Sequence, residues 1–213
     1  MMANTEVFER NVAEYEAWFD RFPAIFDSEI LAIRRHFQEL PENILGIEVG
    51  MGSGRYAQAL GIKEGVEPAT SMRNLALDKA LEVVKATAEH LPYKDLHFDF
   101  VLFVTICHLD SFPKALKEAN RVIKRGGHVI IGFIDKGSKI GIQYEEKKGR
   151  STFYKNARFY LTSEVEDLLK ASGFKNPVFS QCLFDDLENI QKTEEPKEGT
   201  GEGSFVVVRA TKK

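Results

Sequence analysis

The stretch ILGIEVGMGSGRYAQAL, residues 44–60, decides the fold. Its apolar run (Ile44, Leu45, Ile47, Val49) followed by a glycine-rich turn reads as a buried parallel strand feeding a helix. Gly50, Gly52 and Gly54 let the backbone turn sharply and leave room for a ligand against it. The unpaired N–H groups of the helix that follows make such a turn a natural seat for a nucleotide-like cofactor.

Two details bear on which cofactor. A dinucleotide fingerprint has the order G-x-G-x-x-G, whereas here the third glycine comes one position early and Arg55 fills the last slot. Glu48 also stands at the strand end, where a carboxylate would repel a pyrophosphate and suit a positively charged ligand. S-adenosylmethionine carries an ammonium and a sulfonium, so the turn leans toward it and away from NAD. An NAD-linked dehydrogenase stays the enzymatic alternative, and a module that binds the cofactor without catalysis is the non-enzymatic one.

Outward from the turn, strands alternate with helices. A second strand over 62–66 ends at Glu67, about 20 residues past the first strand end, where α/β nucleotide folds place the acid that takes ribose hydroxyls; Pro68 and a helix from 71 follow. A third strand covers 81–85, a fourth 98–104, a helix 112–123 and a strongly apolar fifth strand 128–133. This rhythm means a mostly parallel, Rossmann-like sheet with helices on both faces. Ligands then sit at the carboxyl ends of the strands, where Glu48, Glu67, Glu89 and residues 105–108 fall.

Before the first strand, 5–22 has helical spacing and a second helix runs through Ile30, Ile33, Phe37 and Leu40, with Asp27 or Ser28 as its cap. These helices pack on the sheet or cover the cleft. The stripe Tyr15, Trp18, Phe19 reads as core or, for Tyr15 above all, as ligand wall. Residues 135–160, rich in lysine, glycine and aromatics including Tyr144 and Tyr154, leave the same strand-end face and form either a substrate cap or a solvated insert. A helix capped at Thr162 or Ser163 stops at Gly173, and strands at 177–184 and 204–210 close the chain. The polar 191–204 stretch between them reads as disorder-prone and as a lid if the strand before it is parallel.

The 213 residues suit one domain: N-terminal helices over 1–42, a cofactor-binding core over 43–134, the cap over 135–160, and the last helix and strands over 161–213. A net charge of −3 argues against nucleic acid as partner. No run is apolar enough to span a bilayer and the start does not read as a secretory signal. Cys107 and Cys182, the only cysteines, have no metal-like spacing and point to a reducing cytoplasm. His108, just past the fourth strand, is the candidate general base.

Five segments in order resemble the class I S-adenosylmethionine-dependent methyltransferases, specifically the small-molecule group with the ubiquinone/menaquinone C-methyltransferases. They are IEVGMGSGR (47–55), GVEP (65–68), AEHLPY (88–93), FDFVLFVTICHL (98–109) and NRVIKRGGHVIIGF (120–133); YLTSEVEDLLKASGF (160–174) resembles the late helix. The resemblance implies a seven-stranded sheet whose last strand is antiparallel beside the fifth, and S-adenosylmethionine as cofactor. By position, Glu48 with the turn at Gly50, Gly52 and Gly54 would hold the methionine moiety, and Glu67 with Pro68 the ribose. Ala88 and Glu89 would contact adenine with Leu91 near its ring, and Thr105 and Ile106 would face the sulfonium. Arg125 stands where the family commonly has proline, a turn position of slight consequence. The acceptor would be a small molecule, with no metal involved.

Overall fold

The computed structural model describes residues 3–213, with side chains from Thr5 onward. Five parallel strands come first: β1 (Gly46–Val49), β2 (Glu64–Val66), β3 (Glu82–Val84), β4 (Phe98–Val104) and β5 (Ile123–Ile134). β6 (Phe174–Cys182), β7 (Lys197–Glu198) and β8 (Phe205–Lys212) complete a sheet of order β3-β2-β1-β4-β5-β8-β6-β7. β8 enters antiparallel between β5 and β6. The sheet therefore has eight strands rather than seven, because two residues of the 191–204 stretch pair antiparallel with β6 at its edge.

Period-two alternation divides the core between the two faces. Along β4, Val101 and Phe103 pack on one side with α6 (Phe112–Val122) and α8 (Thr162–Ala171), while Leu102 and Val104 pack on the other. That second side is covered by α2 (Val12–Arg21), α3 (Pro23–Phe37) and α4 (Arg55–Leu60). A register shift between Phe98 and Phe100 puts these two phenylalanines on opposite faces, which an unbroken alternation would not allow.

The N-terminal region departs from its periodicity. The helix expected over 5–22 is two, α1 (Ala3–Arg10) and α2, broken at Asn11, whose side-chain amide donates to the Val7 carbonyl at 2.8 Å in competition with the helix. α3 begins at Pro23, not at Asp27 or Ser28, because proline needs no N–H partner in a first turn; the Ser28 hydroxyl donates instead to the Ala24 carbonyl at 2.6 Å. At α8 the cap is Leu161 rather than Thr162 or Ser163, and the Glu164 carboxylate accepts from the Leu161 N–H at 2.8 Å.

α5 (Thr70–Asp78) follows β2, and 135–160 contains α7 (Lys139–Lys147), capped by the Ser138 hydroxyl. Because β6 runs parallel to β1–β5, the chain leaving it does open on the ligand face. The part that reaches the cavity there is 183–189; 191–204 folds back along β6, and the Arg35–Glu198 ion pair holds it to α3.

Candidate active site

A cavity of about 1010 Å³ lies over the carboxyl ends of β1, β2 and β4, roofed by α1 and α2 and closed laterally by α7 and 183–189. It lies at the upper end of the usual range for small-molecule sites, about 300–1,000 Å³.

Its floor is the glycine turn. Gly50 and Gly52 have φ of 74° and 59°, a left-handed backbone, and the N–H groups of Gly50 and Met51 both donate to the Val66 carbonyl at 3.0 Å. A Cβ at Gly50 would meet nothing within 4 Å, so the turn presents open backbone to the cavity. Gly54, by contrast, is not in the cavity wall: a Cβ there would fall 2.3 Å from Leu81 Cδ1, so this glycine serves the packing of α4 on α5.

The two acids of the turn part company. Glu67 lines the cavity, and its carboxylate accepts from the Gly52 N–H at 2.9 Å and the Ala69 N–H at 2.7 Å, tying β2 to the turn. Burial raises its pKa against the pull of those two donors. Glu48 is only 1% exposed and stands behind the turn, outside the cavity wall. Burial pushes its pKa well up, and its Oε2 has no hydrogen-bond partner among the described residues.

At the adenine-side segment, Ala88 and Glu89 line the cavity with Pro68, and Glu89 also accepts from the Ser111 N–H at 2.9 Å at the start of α6. Leu91 is turned into the core; its N–H donates to Glu118 at 2.8 Å, and it does not reach the cavity. Beyond β4, Thr105 and Ile106 line the wall, and Thr105 holds φ of 59°, a costly conformation for a β-branched residue. Its N–H donates to the Gly132 carbonyl at 2.9 Å, which anchors the strained residue to β5.

His108 lines the cavity, stacked on Tyr154 at 5.5 Å and edge-on to Phe8 at 5.0 Å. Burial lowers its pKa to about 4, so it is a neutral imidazole at pH 7. Burial raises the Cys107 thiol to about 12, which leaves it inert. The expected acceptor-side tyrosines all reach the wall. Tyr15 has its hydroxyl 3.3 Å from where a Gly52 Cβ would stand, and Tyr144 stacks on Tyr154 at 4.6 Å.

Sequence reasoning missed three features. Arg55 grips α2, its guanidinium 2.8 Å from Glu16 and over the Phe19 ring at 4.7 Å. Glu9 on α1 accepts from the Thr70 N–H and, at 2.8 and 2.6 Å, from the Ser71 N–H and hydroxyl, so α1 is latched to the start of α5. Third, Glu29 and Tyr56 form a buried hydrogen-bonded pair in the cavity wall. The signal for it was Glu29 itself, a carboxylate four residues from both Ile25 and Ile33 on the buried stripe of α3.

Residues 47–131 match the model of a methyltransferase domain. The chain is 46% identical to a SAM-dependent methyltransferase of Thermotoga maritima, given as a possible histamine N-methyltransferase, whose crystal structure superposes with a TM-score of 0.91 over 98% of this chain and 99% of that one. It is 44% identical to an uncharacterized protein of Methanocaldococcus jannaschii, over 97% of this chain and 98% of the other. A tRNA (carboxymethyluridine(34)-5-O)-methyltransferase of Arabidopsis thaliana is 27% identical over 55% of this chain and 30% of its own. These relatives resolve the family and not its quinone-methylating subgroup, and they leave the nicotinamide-linked alternative without support. S-adenosylmethionine, the cofactor of the family, fits the wall described above: open backbone at Gly50, a carboxylate at Glu67 in the cavity wall, and an acid-rich surface for a cationic ligand. The chain belongs to the S-adenosylmethionine-dependent methyltransferases with the class I fold.

Proposed function

We propose that this enzyme methylates a small organic molecule bound in the same cavity as the cofactor, between the glycine turn and the aromatic wall. The observation that carries this reading is the continuity of the cavity. One space joins Gly50, Glu67 and Thr105 to Trp18, Tyr144 and Tyr154 beneath a roof latched by Glu9 and Arg55. A polymer would need an open groove and a basic face, whereas the net charge is −3.

Bound S-adenosylmethionine supplies an activated methyl group, so the protein has to orient the acceptor and exclude water. Glu67 accepts the ribose hydroxyls on the lone pairs that Gly52 and Ala69 leave, and the backbone at Gly50 and Gly52 takes the methionine moiety. Glu48 acts from behind, supporting the turn rather than touching the ligand. Ala88, Glu89 and Pro68 border the adenine, with Leu91 packing beneath. Thr105 and Ile106 bound the region next to the sulfonium, and the roof tyrosine Tyr15 holds the acceptor against it. The neutral His108 is placed to accept a proton where an acceptor must lose one. The four segments work as one domain, and with Cys107 and Cys182 both free and buried the enzyme suits a reducing cytoplasm.

Calorimetric titration with S-adenosylhomocysteine, followed by methyl transfer to a panel of small acceptors, tests the reading. Micromolar binding and a methylated product support it; binding without transfer to any small acceptor, but with transfer to RNA or protein, would overturn it.

A further inference from the structure

Glu29 is 5% exposed, belongs to the cavity wall on the aromatic side, and lies far in sequence from every segment that forms the cofactor floor. Its Oε2 accepts from the Tyr56 hydroxyl, and among the described residues Oε1 has no hydrogen-bond partner and the carboxyl group has no cationic one. The titratable groups that face it are Tyr56 of α4, Tyr15 of α2, Tyr144 of α7, Tyr154 and Cys182, none of them a cation. A buried carboxylate without a positive partner is costly, and a ligand that brings the missing charge removes the cost.

The rest of the wall agrees. It carries eight carboxylates against one arginine and one lysine. In the wall the Phe19 ring stands edge-on to Tyr56 at 6.2 Å and to Trp18 at 5.1 Å, and Phe26, outside the wall, packs edge-on against both Phe19 and Tyr56. Aromatic faces around a carboxylate favour a cation of modest size with an apolar body.

We propose that Glu29, oriented by Tyr56, is the acceptor-binding carboxylate of this enzyme and that the acceptor is an organic amine, bound as its ammonium and methylated on nitrogen. The proposal rests on the reading of this cavity as a methyl-acceptor site. The bound ammonium gives one N–H proton to the Glu29 carboxylate and becomes a neutral amine. Its nitrogen lone pair then forms the N–C bond to the donor methyl as the C–S bond breaks with both electrons kept by sulfur. Sulfonium becomes thioether, the product leaves as a methylated ammonium, and Glu29 returns its proton to water. Burial raises the pKa of Glu29 to about 8, which matches a group that must exchange a proton with an amine near neutral pH. It also means that ammonium binding at pH 7 must expel a proton from the empty site.

The test is calorimetric titration of 2-phenylethylamine and n-butylamine, each against its neutral alcohol counterpart. Titrations are run on the protein alone and with saturating S-adenosylhomocysteine. At least one amine is expected to bind at least tenfold more tightly than its neutral partner, with close to one proton released at pH 7. Glu29→Gln is expected to lose that preference and the proton release while keeping its affinity for S-adenosylhomocysteine. The inference is overturned if no amine binds, if amine and neutral partner bind alike, or if Glu29→Gln keeps the preference. The wild-type comparison decides even if the variant fails to fold. Failure of S-adenosylhomocysteine to bind would instead undo the methyltransferase reading, since amine selectivity is read in the free protein as well.

Discussion

Gly50 and Gly54 have nearly the same backbone, φ of 74° and 80°, yet the structure assigns them different work, and alanine at each separates the two. The left-handed conformation costs an alanine roughly 1–2 kcal/mol over glycine at either site. At Gly50 nothing lies within 4 Å of the new methyl, so that conformational cost is the whole effect on stability. At Gly54 the methyl meets Leu81 Cδ1 at 2.3 Å and Ala76 Cβ at 3.2 Å, both buried, and overpacking adds about 1–3 kcal/mol. For a chain of this size about 2–4 °C accompanies each kcal/mol. Gly50→Ala is thus expected to lower the melting temperature by about 2–8 °C and Gly54→Ala by about 4–20 °C. Affinity should run the other way. The Gly50 methyl stands on the open backbone that we propose takes the cofactor, and a loss of at least about 1.4 kcal/mol, or tenfold, in S-adenosylhomocysteine binding is expected. Gly54→Ala, measured well below its melting point, should stay within about threefold of wild type. Thermal unfolding without ligand and calorimetry at 15 °C read both. Equal melting losses, or an affinity loss confined to Gly54→Ala, would refute the division.

Glu67→Ala removes the carboxylate that both pins Gly52 and Ala69 and is proposed to take the ribose. S-adenosylhomocysteine affinity should fall by about 2–4 kcal/mol, roughly 30- to 1,000-fold, in calorimetry, with Glu67→Gln between the two. The Glu9 latch depends on charge: its donors lower the pKa from 4.5 to about 2, so the contact is fully present above 4.5 and is lost as pH falls through 2. Glu9→Ala should cost about 0.5–2 kcal/mol at pH 7, and hydrogen exchange over α1 should report its release there. If His108 rather than Glu29 takes the acceptor's proton, the acid limb of kcat/KM falls near pH 4 and disappears in His108→Gln; an unchanged profile and full turnover would remove it from the mechanism.

Much of the site was legible because its signals are local. The alternation of apolar runs with capped helices requires a parallel sheet, and a parallel sheet puts Glu67, Glu89, Thr105 and His108 on one rim whatever the loops do. Equally local was the glycine turn, whereas the direction of β6, left open by the sequence, follows only from its antiparallel pairing with β8. Local signals do not, however, say which way a side chain faces. Glu48 reads as a ligand contact because it abuts the turn, but the pleat sends a β1 side chain to one face or the other. Here it is buried outside the cavity wall, with the Ala57 N–H of α4 donating to it, a choice that adjacency in sequence does not reveal.

By itself, then, the sequence determined the sheet, the helix order, the turn and the family, since each rests on periodicity or on residues within a few positions of one another. Only the tertiary structure decided which acids face the cavity. Glu9 finds α5 across 62 positions, Arg55 finds α2 across 39, and Glu29 pairs with Tyr56 across 27. Such pairings follow from how helices dock on a sheet, because docking is set by the summed burial of whole faces rather than by any short stretch of chain.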